Sequence, residues 1–196
     1  MQDPPLESGI LKKIHGNQLS YCFVHLTFQE YLTALYIHFK PMEKQQKFIL
    51  ENRHKPNYQL VLAFLAGLSY SKTQNIEWFF STLYQKSNTM MLLHSYLLEL
   101  TLRCLNECIG LDQPLSCLDA LIQENPTIWD TILSDGYTPP LSAANQRQNQ
   151  AFYWLANRYP HLMDKTGIWV ENKEVTMTLG GLTNEKNGNI WPIIFL

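Results

Sequence analysis

Charge is in short supply in this sequence. Only 16 % of its 196 residues are charged, against about 25 % in an ordinary soluble domain, so much of the surface is neutral polar or is covered by something else. Fifteen Lys and Arg stand against seventeen Asp and Glu, for a net charge of −2. That balance argues against a nucleic-acid binder working through a strong basic patch. No apolar run approaches the ~18 residues of a membrane span. The first residues, MQDPPLESG, lack the basic start and apolar centre of a secretory signal and read as a cut inside a longer, cytoplasmic protein. Cysteine is sparse: Cys22, Cys104, Cys108 and Cys117, of which only Cys104 and Cys108 share a helical face. A disulfide framework is not expected, and a reducing cytosol is. A zinc site would need further ligands, and His94 lies nearly three helical turns from Cys104; the alternative is thiols buried in a helical core. No GxxxxGK[ST] phosphate loop occurs anywhere, and no His–carboxylate or Cys–His pair has the spacing of a known hydrolase. The chain is expected not to be an enzyme and to hold no metal or cofactor of its own.

What is present is mostly helical pattern. Residues 6–14 suggest a short helix closed by the turn signal His15-Gly16-Asn17. The aromatic-rich segment from Leu19 to Leu26 suits a short strand or wing. Thr27-Phe28-Gln29-Glu30 has the form of a capping box. Downstream of it Phe28, Tyr31, Leu32, Leu35, Tyr36 and Phe39 form one apolar stripe at helical spacing, of which Phe28, Tyr31, Leu32 and Leu35 are expected to face the core. Pro41 ends that helix or opens the next. An exposed charged helix over 41–51 follows, then a connector over 52–56 and a buried helix over 58–70. Its Gly67 serves close packing or a C-cap. A helix over 75–86 carries Ile76, Phe79, Phe80 and Leu83. The longest helix is expected over 89–109, stopped by Gly110. Two shorter ones, 114–123 and 126–133, each begin with a proline. Short helices on short loops stack as antiparallel neighbours.

Residues 135–163 change character. Asp135-Gly136 supplies a turn, Thr138-Pro139 a helix start, Leu141, Ala143 and Ala144 a small-residue helix, and Ala151, Phe152, Trp154 and Leu155 a second. This resembles one degenerate ankyrin repeat; a generic helical hairpin is the alternative. Three positions depart from the ankyrin pattern: Pro140 for Leu, Leu141 for His, and Arg147 where glycine normally closes the first helix. A lone repeat is unstable, so the helical stack must cover one side of it. The tail over 164–196 contains Asn187-Gly188-Asn189 and is either a short β-hairpin on an Asn-Gly turn or a truncated further repeat.

The segment from Tyr21 to Ala34, with Tyr21, Phe23, His25-Leu26, Phe28-Gln29-Glu30-Tyr31-Leu32 and Ala34, resembles the C-terminal part of the nucleotide-binding module of NACHT-type STAND NTPases, the NOD-like-receptor class. Ser8-Gly9-Ile10-Leu11 upstream and Phe64-Leu65-Ala66-Gly67-Leu68 downstream fit the same family. The resemblance covers residues 6–70 directly and extends to 133 by helix order alone. It implies a mostly α chain: 1–40 as the end of a winged-helix domain, 41–133 as a helical domain, 134–163 as the ankyrin-like pair, and 164–196 as a tail. It also implies that His25 contacts the phosphate of a bound ADP held by an upstream NTPase domain, and so restrains the protein in a closed state. ADP or ATP would then belong to the longer protein, since this chain lacks the phosphate loop. Chemically the role is sound, because an imidazole N–H can donate to an anionic oxygen beside a helix N-terminus; the alternative is a capping or packing histidine.

Three functions follow as expectations. The first is a non-catalytic regulatory and sensor fragment coupling nucleotide state to ligand sensing and oligomerisation. The second is a helical and ankyrin-like protein-interaction module, such as that of a bacterial effector. The third, a winged-helix nucleic-acid binder, is disfavoured because residues 6–40 lack a basic recognition helix. Partners are expected to be proteins, with no nucleic acid and no membrane span.

Overall fold

The computed structural model describes residues 11–14, 20–85, 94–161, 168–171 and 174–177. They are mostly helical, with small two-stranded antiparallel sheets. Strand β1 (Leu11–Ile14) pairs with β2 (Ser20–Phe23), setting Leu11 opposite Phe23 and Ile14 opposite Ser20. The short strand expected after residue 19 is therefore present, whereas a helix over 6–14 is not: its last four residues are extended. A segment that short is below the length at which a helix holds by itself, and pairing with β2 satisfies its backbone instead. The turn signal at 15–17 lies outside the described residues.

Among the described residues eight α-helices follow: α1 (Leu26–His38), α2 (Met42–Asn52), α3 (Gln59–Thr73), α4 (Glu77–Leu83), α5 (His94–Glu107), α6 (Ser116–Glu124), α7 (Pro139–Asn145) and α8 (Asn149–Arg158). Strands β3 (Ile168–Glu171) and β4 (Glu174–Met177) form a second hairpin, with Ile168 opposite Met177. That hairpin lies upstream of Asn187-Gly188, which is outside the described residues. The start of the helix expected over 89–109 lies outside the described residues, which hold its part from His94 to Glu107 as α5. One further expectation is corrected. Residues 126–133 form only a 3-10 turn at Ile128–Asp130, because Ile128 and Trp129 both turn inward there.

The helices lie in two rows. Helix α1 packs on α3, α3 on α5, and α5 on both α7 and α8; α2 packs on α4 and α4 on α6. One buried cluster runs through both rows from Ala34 to Tyr159. Ile76, Phe79, Phe80 and Leu83 are fully buried within it, as their spacing requires. The Cys104 and Cys108 thiols are buried there too; burial raises Cys104 well above the ordinary thiol range and pushes Cys108 up to about 12. Thiols held protonated in this way are packing groups, inert as nucleophiles. Gly67 is a packing residue as well. A Cβ on it would lie 2.8 Å from the Glu107 carbonyl oxygen, and α3 continues to Thr73, so no cap is needed at that point.

Helix ends are closed from a distance. In α1–α4 and α6–α8 no N-cap side chain bonds its own helix. Instead Gln45 of α2 donates from Nε2 to the carbonyls of His38 (3.0 Å) and Lys40 (2.7 Å) at the end of α1. Arg53 donates from Nη1 to the carbonyls of Thr82, Leu83 and Gln85 at the end of α4, at 3.3, 2.7 and 2.8 Å. Glu77 of α4 accepts the Ser116 and Cys117 backbone N–H groups, each at 2.9 Å, at the start of α6. These contacts satisfy the orphan groups that every helix terminus leaves and hold neighbouring helices together at the same time.

Candidate functional site

The site is built where β2 hands the chain to α1. His25 is the N-cap of α1, with extended backbone at φ −125° and ψ 134°. Its carbonyl accepts the Phe28 N–H at 3.2 Å, closing the first turn. Its side chain is exposed and makes no capping bond. The imidazole stands edge-on to the Phe28 ring, with 6.0 Å between centroids. The capping box expected at Thr27–Glu30 does not form. The helix begins at Leu26, so Thr27 is already inside its first turn and exposed, and Glu30 is half-buried on the α3 side. The first turn also carries no acidic residue. The result is a helix N-terminus without a side-chain cap, its positive dipole end unopposed by a local carboxylate and a histidine standing beside it. That arrangement suits an anionic oxygen.

The apolar stripe of α1 is the second correction. Phe28, Tyr31, Leu32, Tyr36 and Phe39 are exposed and Leu35 is half-buried. The side that packs on α3 is the opposite one, with Ala34 fully buried and Ile37 partly so. Tyr31 reaches the core only at its edge, where its ring meets Phe64 at 5.6 Å. The physical reason is size. The small Ala34 allows the close approach to α3 while the bulky side chains of the stripe turn outward.

Sequence reasoning missed the residues that fasten the helices to one another. Arg53 is 5 % exposed, and burial lowers its pKa. Its Nε donates to His54 Nε2 at 3.2 Å, and burial and the neighbouring guanidinium hold His54 below the usual imidazole range. Burial pushes the Glu77 carboxyl up, but its bonds from Ser116 and Cys117 outweigh that and lower it. Asp119 is lowered chiefly by Arg158, and it also accepts the Tyr159 hydroxyl at 2.6 Å. Asp135 accepts the Ser142 hydroxyl at 2.7 Å and the Gln146 amide at 2.9 Å. Gln150 accepts the Gly110 N–H at 3.2 Å and donates to the Leu111 carbonyl at 3.1 Å, and the Trp154 indole donates to the Gln113 carbonyl at 3.1 Å. These last bonds stitch α8 onto the loop after α5. Their partners lie about forty residues apart in sequence, beyond the reach of any local pattern.

A hollow of about 620 Å³ between α2 and the end of α4 is lined by Glu43, Lys47, Glu51, Thr82 and Gln85 among others. Its side chains are of both signs and mostly exposed, a surface recess without convergent reactive groups. Among the described residues no three His, Cys, Asp or Glu side chains come together as a metal site, and no helix is long and apolar enough to cross a membrane. Comparison of the chain with protein-family models, curated proteins and solved structures returned no match.

Proposed function

We propose that the chain is the non-catalytic regulatory part of a NACHT-type signalling NTPase, coupling nucleotide state to ligand sensing and oligomerisation. The observation that carries this reading is His25: an exposed histidine at the N-cap of a thirteen-residue helix that has no side-chain cap and no acid in its first turn. On this reading β1, β2 and α1 are the end of a winged-helix domain, α2–α6 a helical domain, and residues 134–163 an ankyrin-like unit of the sensor. ADP or ATP is held by an upstream domain, and His25 donates a hydrogen bond to its phosphate. The protein works in the cytoplasm and binds proteins, not nucleic acid.

Two measurements test it. The reading frame upstream should encode a phosphate-binding loop, and its absence would remove the nucleotide from the proposal. His25→Ala in the full-length protein should raise basal signalling, because the closed ADP state loses a restraint; unchanged basal signalling counts against the role.

A second reading, a helical and ankyrin-like interaction module such as a bacterial effector carries, is favoured by one observation. Helices α7 and α8 follow a turn in which Asp135 accepts the Tyr137 N–H at 3.1 Å, and they pack directly on α5. That module would function without any nucleotide.

A further inference from the structure

We infer that His54 is a proton-operated release for the clasp that joins α2 to the end of α4: on taking up a proton its imidazole stops accepting from Arg53, and the guanidinium lets go of the α4 carbonyls. The clasp is a single side chain. Arg53 follows the last residue of α2 and is buried. Its Nη1 holds the carbonyls of Thr82, Leu83 and Gln85, and its Nε donates to His54 Nε2 at 3.2 Å. The carbonyls hold one nitrogen of the rigid fork and the imidazole holds another, so the two contacts together orient the guanidinium.

Three features make that bond sensitive to a proton. Only a neutral imidazole with its hydrogen on Nδ1 can accept at Nε2. A second proton goes onto Nε2, and two N–H donors then face each other across 3.2 Å. The Nδ1 atom is buried and has no hydrogen-bond partner among the described residues, so no acceptor there steadies an imidazolium. Two cations would also lie side by side, one of them buried, and that placement disfavours the second charge.

Among the described residues no carboxylate offsets it. On α2, Glu43 stands in the first turn, at the far end from Arg53, and Glu51 pairs with Lys47 at 3.7 Å. On the connector, the Lys55 ammonium donates to Asn52 Oδ1 at 3.0 Å. The 3-10 turn that follows (Pro56–Tyr58) sets the Tyr58 ring against Phe48. The end of α4 brings Tyr84, whose hydroxyl shares a hydrogen bond with Thr101 at 2.6 Å. Glu77, at the start of α4, is taken by Ser116 and Cys117. Burial and the Arg53 guanidinium are what act on His54, and both hold it below the usual imidazole range. The released His54 has the ordinary value of about 6.5 and the clasped one a lower value. The clasp is therefore whole above about pH 6.5 and is lost as pH falls toward the clasped value. The release uses α2 and α4 and no residue of the His25 site, so it stands independently of the proposed function.

The experiment is hydrogen–deuterium exchange of the full 196-residue chain at pH 7 and at pH 5, corrected for the intrinsic effect of pH. It is read at Tyr84 and Gln85, whose N–H groups close the end of α4 on the Phe80 and Thr82 carbonyls. One proton changes an opening equilibrium by at most about tenfold per pH unit. Protection of these two amides in the wild type should fall at least about threefold between pH 7 and pH 5, while Leu62 and Leu65 in the middle of α3 keep theirs. His54→Gln retains an acceptor for the Arg53 Nε–H but takes up no proton, and its protection at Tyr84 and Gln85 should be the same at both pH values. The His54 ring, titrated by NMR in the wild type, should share its midpoint with the loss of protection, a comparison that decides the matter even if glutamine fails to hold the clasp. Full protection of the wild type at pH 5 overturns the inference. So does an equal loss in His54→Gln, a parallel loss at Leu62 and Leu65, or a ring midpoint that differs from that of the amides.

Discussion

Arg147 occupies a position that physical chemistry reserves for glycine. Its φ is 56°, in the left-handed region that costs an L-residue roughly 1–2 kcal/mol. It is held there by the end of α7: the Gln148 N–H donates to the Ala143 carbonyl at 2.8 Å and the Arg147 N–H to the Ala144 carbonyl at 3.2 Å. That is the Schellman pattern of helix closure. Arg147→Gly should therefore stabilise the chain by up to about 1 kcal/mol, the relief of strain exceeding the added freedom of the unfolded chain. A urea titration checks it, with the midpoint rising at constant slope. This position was legible in the sequence, because the ankyrin-like spacing marks residue 147 as the glycine site. Arg53 was not legible. Its acceptors are backbone carbonyls 29 to 32 residues away, and no side-chain pattern announces a carbonyl.

At the scale of elements, the sequence showed where helices lie better than it showed which way they face. Helices α4 and α5 follow their apolar periodicity, because large residues on one side leave only one way to pack, and α3, apolar along most of its length, is buried between neighbours as expected. Helix α1 offered two apolar sides, and periodicity cannot choose between a bulky stripe and a small one; the approach of α3 onto Ala34 chose. The start of α1 was misplaced for a related reason. The letters of a capping box were present at Thr27, but the chain left β2 already turning, and His25 became the cap. Residues 11–14 were misread because strand pairing is a property of two segments and the local pattern belongs to one.

The junction of α4 with α6 depends on a charge. The Glu77 carboxylate is stabilised by its bonds to Ser116 and Cys117, and its folded-state pKa is lowered. Stability from this contact is therefore complete above the unfolded carboxyl value of about 4.3 and is lost as pH falls through the lower, folded value. Thermal melts from about pH 6 to about pH 3 should show a falling midpoint, and Glu77→Gln should flatten that slope while lowering the midpoint at neutral pH. An equal acid slope in wild type and variant would remove Glu77 from the account.

For the whole molecule, the division suggested by composition, with a change of character near residue 134, is not a division of the core. The buried cluster passes from α3 through α5 into Ala143, Phe152 and Leu155 without a break, and Gln150 and Trp154 bond across the same boundary. Segments that share one core unfold together. Denaturation followed by tryptophan fluorescence, which samples Trp78 and Trp129 before that boundary and Trp154 after it, should coincide with denaturation followed by circular dichroism. Two separated transitions would show that residues 134–163 unfold as a unit of their own. Sequence alone could place that change of character, but it could not see the bonds that cross it.

The long-range fastenings also differ in what they are made of. Helix α6 is held at its start by Glu77 and along its length by Asp119, which grips Arg158 and Tyr159 at the end of α8. Both anchors are carboxylates. The clasp of Arg53 on the end of α4 runs to three carbonyl oxygens, which take up no proton in the range where proteins fold. In the language of proton linkage the molecule is asymmetric: α6 is moored by two titratable carboxylates, while the clasp on α4 ends on carbonyls and meets acid only through His54, the imidazole that accepts the Arg53 Nε–H.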